Sequence, residues 1–146
     1  MSEMDSQAAV ARIAGIFNAM TLADVPRMGE FYTKDASFRD PYNDVRGLPE
    51  IQRIFAAMYD HLIEPRFNIL ETVADERGAF LVWDMTFRIR KYKPDVVWTI
   101  HGGTHMRLAP DGRIAYHRDY WDTGEELYAK LPVIGVAIRF LRKKLA

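Results

Sequence analysis

Residues 96–121 have the sequence VVWTIHGGTHMRLAPDGRIAYHRDYW, which predicts two β-strands joined by a turn. Apolar and polar side chains alternate over 96–108 and again over 113–121, and this period of two is typical of strands with one buried face. The cluster Pro110-Asp111-Gly112 is typical of a tight turn. We therefore predict an antiparallel hairpin in the last third of the chain.

The same period extends toward the amino terminus and predicts two more strands, near 66–74 and 79–91. The turn clusters Asp75-Glu76-Arg77-Gly78 and Lys93-Pro94-Asp95 separate these strands from each other and from the hairpin. Four consecutive strands joined by short turns predict an antiparallel meander.

Helices are predicted on both sides of this meander, from apolar residues that recur every three or four positions. Before it we expect a helix with apolar positions Val10, Ile13, Ala14, Phe17 and Met20, and a short helix capped by Asp24 that contains Pro26 and turns Met28, Phe31 and Tyr32 inward. A short strand follows, on which Phe38, Asp40 and Tyr42 share one face, and then a helix that opens at Pro49 and ends at Pro65. After the meander, Thr123-Gly124-Glu125-Glu126 predicts a capping box, and Pro132 begins a helix that reaches Leu145.

This order of elements predicts an α+β fold: a cone-shaped, curved antiparallel sheet with helices packed on its concave face and a cavity between the layers. No internal repeat, low-complexity segment or linker interrupts the pattern, so residues 1–146 are expected to form a single domain.

The composition speaks against several classes of function. Twenty Lys and Arg balance twenty Asp and Glu, so the basic field that non-specific nucleic-acid binding needs is missing and no nucleic-acid partner is expected. The absence of Cys excludes disulfides, thiolate nucleophiles and cysteine-ligated metals. The start of the chain is acidic and lacks the apolar stretch of a signal peptide. We expect a soluble, cytoplasmic protein.

The turn lengths predict which strand residues face each other. If the turn at 109–112 has four residues, Thr104 pairs with His117 and Gly102 pairs with Asp119, and a similar turn at 92–95 sets Trp83 opposite Thr104. One face of the sheet then collects Trp83, Met85, Phe87, Ile100, Gly102, Thr104, Met106, His117, Asp119 and Trp121. This face is an apolar, aromatic wall that contains one carboxylate and one imidazole.

Asp119 and His117 are candidate catalytic residues, because side chains two apart on a strand lie on one face and can reach one ligand or each other. Apolar surroundings make a carboxylate a better proton acceptor, and Gly102 opposite Asp119 leaves space for a substrate. The alternative is a buried Asp–His pair that satisfies its own hydrogen bonds and does no chemistry.

Asp40 is a third candidate, since its place between Phe38 and Tyr42 could direct a second carboxylate into the same cavity. Alternatively, its oxygens order the turn that runs from Pro41 to Asp44. The sequence favours neither interpretation over the other.

Two further features have ordinary explanations. On a strand, His101 and His105 lie roughly 13 Å apart and cannot chelate one ion, so no metal site is expected. The stretch 132–146 is amphipathic and carries Arg139, Arg142, Lys143 and Lys144. Such a helix can touch an anionic membrane, but it more often covers a cavity mouth or a neighbouring subunit, and we expect no membrane partner.

Two motifs resemble a known superfamily. The run Phe31-Tyr32-Thr33-Lys34-Asp35-Ala36-Ser37-Phe38-Arg39-Asp40-Pro41, followed by Arg46-Gly47, resembles the first half of nuclear transport factor 2-like proteins of the SnoaL-like and steroid isomerase-like group. The motif His117-Arg118-Asp119-Tyr120-Trp121-Asp122 is similar to the last strand of limonene-epoxide hydrolase relatives in that superfamily. The resemblance covers most of the chain. It implies the cone-shaped fold, which hosts isomerases, cyclases, dehydratases, epoxide hydrolases and non-catalytic members.

The resemblance places Asp40 at the general base of ketosteroid isomerases. It places Asp119 at the water-activating carboxylate of the epoxide hydrolases and at the catalytic base of SnoaL-like cyclases. The oxyanion donors of the isomerases correspond to Ile16 and Thr104, which would stabilise an enolate poorly, so steroid isomerisation is not expected.

The epoxide hydrolases also need an Arg and an Asp on the cavity face of a neighbouring strand, where this sequence has Trp83 and Met85. Epoxide opening by that mechanism is therefore not expected either. Base catalysis by Asp119 remains, with His117 as acid or orienting partner.

We expect a small hydrophobic molecule to bind against Trp83, Met85, Ile100, Thr104, Trp121 and Tyr42. Cofactor-independent acid/base chemistry of an isomerase, cyclase or dehydratase would fit this site. The alternative is a non-catalytic ligand-binding or dimerisation module. The opposite face carries Thr99, His101, His105, Tyr116 and Tyr120, groups common at subunit contacts, and together with the resemblance these favour a homodimer.

Overall fold

A computed structural model describes residues 1–146, and a six-stranded sheet with the strand order β2-β1-β6-β5-β4-β3 forms its centre. The predicted meander is confirmed as β3 (Leu62–Asp75), β4 (Gly78–Ile89), β5 (Trp98–Leu108) and β6 (Ile114–Tyr120), all paired antiparallel. With helices packed on one face of this curved sheet, the fold is α+β, as predicted.

The first strand differs from its prediction. It is β1 (Tyr32–Arg39), which starts where the sequence pattern predicted the end of a helix and stops before Asp40. β1 pairs parallel with β6 and antiparallel with a three-residue strand, β2 (Asp44–Arg46), which was not predicted. The parallel pairing sets Phe38 beside His117. It joins two segments that lie far apart in the sequence.

The strand register is shifted by two residues from the prediction. Thr104 pairs with Asp119, and Trp83 pairs with Gly102. One cause lies at the β5–β6 turn, which Ala109 N–H closes on the Arg113 carbonyl at 2.8 Å, and an irregularity in the pairing follows this turn. Because side chains alternate with a period of two, a shift of two leaves every predicted residue on its predicted face.

All of the predicted helices are present, but several of their bounds differ from the prediction, and α1 begins seven residues before Val10. They are α1 (Glu3–Asn18), a 3₁₀ helix (Leu22–Glu30), α2 (Leu48–His61), α3 (Thr123–Glu126), a short 3₁₀ helix (Tyr128–Lys130) and α4 (Pro132–Leu145).

Two predicted helix caps are wrong by a few residues. Asp24 is the third residue of its helix, and its carboxylate accepts from the Thr21 N–H at 2.8 Å. Asp122, not Thr123, caps α3 through the Glu125 N–H. Asp24 thus acts one turn after the cap residue Thr21, and Asp122 acts one residue before the predicted cap Thr123.

The helix from Leu48 ends at His61 and not at Pro65, which lies inside β3. β3 is an edge strand, where the missing N–H of a proline is tolerated, and its pairing with β4 is irregular between Ile63 and Arg66. Such irregularities bend a strand. They contribute to the curvature of the sheet around α1 and α2.

One cluster of twenty buried apolar residues fills the space between the helices and the concave face of the sheet. Its largest fully buried members are Tyr32, Ile13, Met28, Ile51, Leu81, Met106, Ile114 and Val10. None of the helices combines the length and the apolar character that a membrane-spanning segment requires.

Candidate functional site

A chain of hydrogen bonds runs across the concave face of the sheet and centres on β6. His117 and Asp119 lie two residues apart on this strand, and His117 Nε2 is 2.7 Å from Asp119 Oδ1. The other ring nitrogen, His117 Nδ1, is 2.7 Å from the hydroxyl of Tyr32, at the start of β1. The predicted pair thus exists, and a tyrosine that was assigned only to the core extends it.

Two residues of the neighbouring strands continue this chain. Thr104 Oγ1 donates to Asp119 Oδ1 at 2.6 Å, and Trp83 Nε1 donates to Thr104 Oγ1 at 2.8 Å. The observed register explains both contacts, since it puts Thr104 directly opposite Asp119. We name the five residues Tyr32, His117, Asp119, Thr104 and Trp83 the inner network.

The hydrogen-bond partners limit where the protons of the inner network can lie. The Trp83 indole N–H can only donate, so the Thr104 hydroxyl accepts from it and gives its own proton to Asp119. The Tyr32 hydroxyl has no other hydrogen-bond partner than His117. A neutral His117 protonated at Nε2 accepts from Tyr32 and donates to Asp119, whereas a fully protonated ring would leave the buried Tyr32 O–H unpaired.

The environment keeps the Tyr32 hydroxyl protonated. Burial, together with the nearby negative charge of Asp119, raises the pKa of Tyr32 well above its usual value. His117 is also buried, with 5% of its side chain exposed, and its ring lies 4.7 Å from the ring of Phe38. The imidazole is therefore held by packing on its sides and by hydrogen bonds at both nitrogens.

Asp119 differs from the rest of the inner network because it has one oxygen free. Oδ1 receives both hydrogen bonds, while Oδ2 receives none from the chain. The side chain keeps 20% of its surface exposed. It borders a cavity of about 40 Å³ whose lining is mainly apolar: Phe17, Phe55, Phe67, Ile69, Leu81, Trp83, Thr104, Met106, His117 and Asp119.

This volume is enough for a few water molecules and far below the roughly 300 Å³ at which pockets for drug-sized ligands begin.

The space that the sequence suggested above Gly102 is filled. A Cβ at Gly102 would lie 2.7 Å from Cη2 of Trp83 and 2.9 Å from the carbonyl oxygen of Tyr120. Gly102 therefore lets the Trp83 indole pack closely against β5, where its N–H reaches Thr104. The interpretation of this glycine as room for a substrate is wrong.

Asp40 lies outside the cavity. Its Oδ1 accepts from the N–H groups of Tyr42 and Asn43 at 2.8 and 2.7 Å, and the Asn43 amide donates to both oxygens. Since β1 ends at Arg39, the expected strand face shared by Phe38, Asp40 and Tyr42 does not form. Of the two interpretations left open for Asp40, the geometry fits the turn-ordering one.

The six expected ligand contacts divide into three groups. Trp83 and Thr104 line the cavity. Met85 and Ile100 face the same side but pack in the core beyond the lining. Tyr42 and Trp121 contact each other edge to face at 5.9 Å, and the Tyr42 hydroxyl is 3.1 Å from that of Tyr128, away from the cavity.

Sequence reasoning missed the helical and β3 side of the cavity. Phe17, Phe55, Phe67 and Ile69 were expected in helices or a strand, without a role in the site. Their pattern shows a buried face but not which ligand they would border. The missed role of Tyr32 depends on the parallel β1–β6 pairing, which no local pattern encodes.

The structure also places the two surface features that the sequence contains, the His101 and His105 pair and the amphipathic helix α4. His101 Nδ1 pairs with Asp84 Oδ1 at 2.7 Å, and no group of three His, Asp or Glu side chains is arranged to hold a metal ion. α4 contributes no residue to the cavity lining, so the expectation that it covers a cavity mouth is not met.

The family model of the SnoaL-like domain matches residues 13–117. No curated protein matches the chain. Among solved structures, a protein from Catenulispora acidiphila DSM 44928 with a ketosteroid isomerase-like fold, in complex with trimethylamine, has a TM-score of 0.70 at 14% identity, over 85% of this chain and 93% of that one.

Two more solved structures are similar. An NTF2-like protein of unknown function from Burkholderia pseudomallei K96243 has a TM-score of 0.69 at 16% identity, over 83% of this chain and 93% of its own. An LEH-like epoxide hydrolase from M. tuberculosis has a TM-score of 0.68 at 16% identity, over 94% and 97%. Such low identities show a shared fold and leave the chemistry to the residues of the site.

Proposed function

This chain belongs to the SnoaL-like domain family, and from that premise we propose that Asp119 is a general base for a small apolar molecule bound in the cavity beside it. The proposal rests on one observation. Asp119 has one oxygen held by two donors and a second oxygen that accepts nothing from the chain, at the wall of an apolar cavity.

The two oxygens have different tasks in this proposal. Thr104 and His117 donate to Oδ1, which stabilises the ionised carboxylate and fixes its orientation. Oδ2 is then available to take a proton from the ligand. His117 acts as a positioning residue and not as the acid, because both of its ring nitrogens are occupied by Asp119 and Tyr32.

The chemistry of the lining indicates the class of ligand. Aromatic and aliphatic side chains favour a neutral, apolar molecule, and a base favours one with an acidic C–H beside a carbonyl or with a hydroxyl group. Asp119 takes the proton from carbon while the bonding pair shifts within the ligand, and the carboxylic acid returns the proton to another atom of the same molecule. The enolate, for which the lining offers no free donor, then does not accumulate. This sequence needs no oxidant, reductant or cofactor.

The small cavity volume means that a ligand larger than a few waters must displace side chains. Phe67 and Ile69 on the edge strand β3 form one wall of the cavity and make none of the hydrogen bonds of the inner network. β3 pairs on one side only, with β4. This wall can move without breaking the hydrogen bonds that hold Asp119.

The small volume is also the observation that favours a second candidate function. In a non-catalytic module, the inner network serves only to fix β1 against β6 and the cavity holds water. Such a protein binds no small apolar molecule at Asp119.

We also propose that the chain forms a homodimer through the outer face of the sheet. Phe80 and Tyr120 on that face are 41% and 45% exposed, next to Thr99, His101, His105 and Tyr116. Sedimentation equilibrium tests this, and a single 16.9 kDa species at micromolar concentration would contradict it.

The experiment for the main proposal screens small apolar ketones, enones and alcohols for binding and turnover. Binding is followed by the indole N–H resonance of Trp83, which lines the cavity. For any compound that reacts, Asp119→Asn is expected to keep affinity and lower kcat by roughly 10²–10⁴, the usual effect of a positioned base. Asp40→Asn is the matched control, because its carboxylate lies in a surface turn, and it is expected to keep full activity.

Full activity of Asp119→Asn would overturn the proposal. Compounds that shift the Trp83 resonance without reacting would support a binding module, and a screen without any binder would favour the second candidate.

A further inference from the structure

The carboxy-terminal helix α4 leaves most of its apolar surface uncovered. Only Gly135 is buried, against the short 3₁₀ helix before it, where a Cβ would lie 2.6 Å from the Ala129 carbonyl oxygen. Arg139 donates to the same carbonyl. The apolar side chains that remain exposed are Val133 (83%), Ile134 (50%), Val136 (60%), Phe140 (60%), Leu141 (51%) and Leu145 (84%).

The helix is amphipathic, with its apolar side turned away from the protein. Successive residues of an α-helix are about 100° apart, which places Val133, Phe140 and Leu141 on one side. Arg142 and Lys143 then lie at the two borders of that side. Lys144 falls within it at the end of the helix, with Nζ 5.7 Å from the ring of Phe140.

The charge of α4 is one-sided. The helix carries four cations, Arg139, Arg142, Lys143 and Lys144, and no acidic residue, although the whole chain has equal numbers of each sign. An exposed apolar face bordered by cations is the pattern of helices that lie in the plane of an anionic bilayer surface. The long stems of Lys and Arg let the apolar side sink while the charges stay at the lipid headgroups.

We propose that α4 binds the protein to an anionic lipid bilayer, with its apolar side in the interface and its border cations on lipid phosphates. This differs from the expectation that the sequence alone favoured, because α4 does not line the cavity and most of its apolar side is exposed. The proposal does not depend on the catalytic role of Asp119.

A second copy of the chain is a poorer occupant for this face. Two α4 helices packed in parallel would bring their clusters of cations together. In an antiparallel pair, the cations of each helix would lie beside the positively polarised amino end of the other. In neither arrangement does α4 offer an acidic residue to balance them, whereas an anionic bilayer supplies that charge.

Vesicle flotation of the whole 146-residue chain tests the proposal, with vesicles of phosphatidylcholine alone and of phosphatidylcholine mixed equally with phosphatidylglycerol. We expect binding to the anionic vesicles only, and release at high salt. The triple variant Arg142→Gln/Lys143→Gln/Lys144→Gln is expected to partition about a hundredfold less, from roughly 1 kcal/mol for each cation near the surface.

The apolar side is tested by Phe140→Ser/Leu141→Ser, which should also lose binding to anionic vesicles. Because both residues are more than half exposed, the variant is expected to melt like the wild type. Val73→Ser/Val97→Ser is the matched control, since these side chains are 73% and 65% exposed outside α4, and it should bind normally.

Three results would overturn the proposal: no binding to either vesicle, equal binding to both, or unchanged binding by both α4 variants. The proposal would also be wrong if the wild type did not bind vesicles and sedimented as a dimer, and if Phe140→Ser/Leu141→Ser dissociated that dimer. The occupant of the apolar side would then be a second copy of the chain.

Discussion

Two His–Asp pairs lie on opposite faces of the same sheet, each with a nitrogen-to-oxygen distance of 2.7 Å. His117–Asp119 faces the core, with 5% and 20% of the side chains exposed. His101–Asp84 faces outward, with 58% and 35% exposed. The contact is the same in both, so any difference in their contribution to stability comes from their surroundings.

The surroundings differ in two respects. The inner pair has further partners, Tyr32 and Thr104, and its groups would be left without hydrogen bonds if one were removed. The outer pair can exchange its partner for water at little cost. Distance alone therefore does not indicate which pair matters to the fold.

The largest difference is expected when each histidine is removed. His117→Ala should lower the free energy of unfolding by about 3–5 kcal/mol, because it leaves a cavity and removes partners from Asp119 and Tyr32. His101→Ala is the matched control. Urea denaturation of both variants measures the effect, and equal losses would contradict the role assigned to burial.

The second effect separates the hydroxyl from the shape of Thr104. Thr104→Val is nearly isosteric, but it leaves the Trp83 N–H unpaired and removes one donor from Asp119. We expect a loss of about 1–3 kcal/mol. The control is Thr99→Val on the exposed face of the same strand, which should change stability by less than about 0.5 kcal/mol. Similar losses in both variants would mean that the inner network contributes no more than an exposed hydroxyl.

The sequence predicted the inner pair but not its full network, for a physical reason. Alternation along β4, β5 and β6 identifies the buried face, and it survives a shift of two residues. The shift does change the cross-strand partners of Asp119, because Thr104 was predicted to pair with His117 and pairs with Asp119. Tyr32 joins through the parallel pairing of β1 with β6, which depends on contacts between distant segments.

At Asp40 the alternation of apolar and polar residues predicted the wrong local structure. Its neighbours suggested a strand, but Pro41 follows at once and the Asp40 carboxylate accepts from the backbone N–H groups of Tyr42 and Asn43. Local turn chemistry decided the conformation there, and alternation over three residues was too short to compete with it.

The third prediction concerns alkaline pH and the end of the inner network. Below pH 10, Tyr32→Phe should cost about 1 kcal/mol, through the lost hydrogen bond to His117. The raised pKa of Tyr32 keeps the folded hydroxyl neutral while the tyrosine of the unfolded chain ionises near pH 10. The stability that this residue contributes is thus complete below pH 10 and is lost as the pH rises further.

Chemical denaturation of wild type and Tyr32→Phe between pH 7 and about pH 11 tests whether the stability that Tyr32 contributes decreases as the pH rises. The difference between them should shrink above pH 10, because only the wild type carries this titrating group. A difference that stays constant over the whole range would show that Tyr32 does not couple to folding in this way.

The smallest effect is expected for the outer pair, and a double-mutant cycle of His101→Ala and Asp84→Ala measures it. The two side chains are exposed, so solvent and salt weaken their attraction, and the coupling energy should lie at about 0–1 kcal/mol and fall as salt is added. The His101 N–H that donates to Glu126 is a backbone group and remains in both variants, so the cycle isolates the side chains. A coupling energy above roughly 2 kcal/mol that does not change with salt concentration would show that the outer pair behaves as a buried one. The contrast between the two faces would then rest on something other than burial.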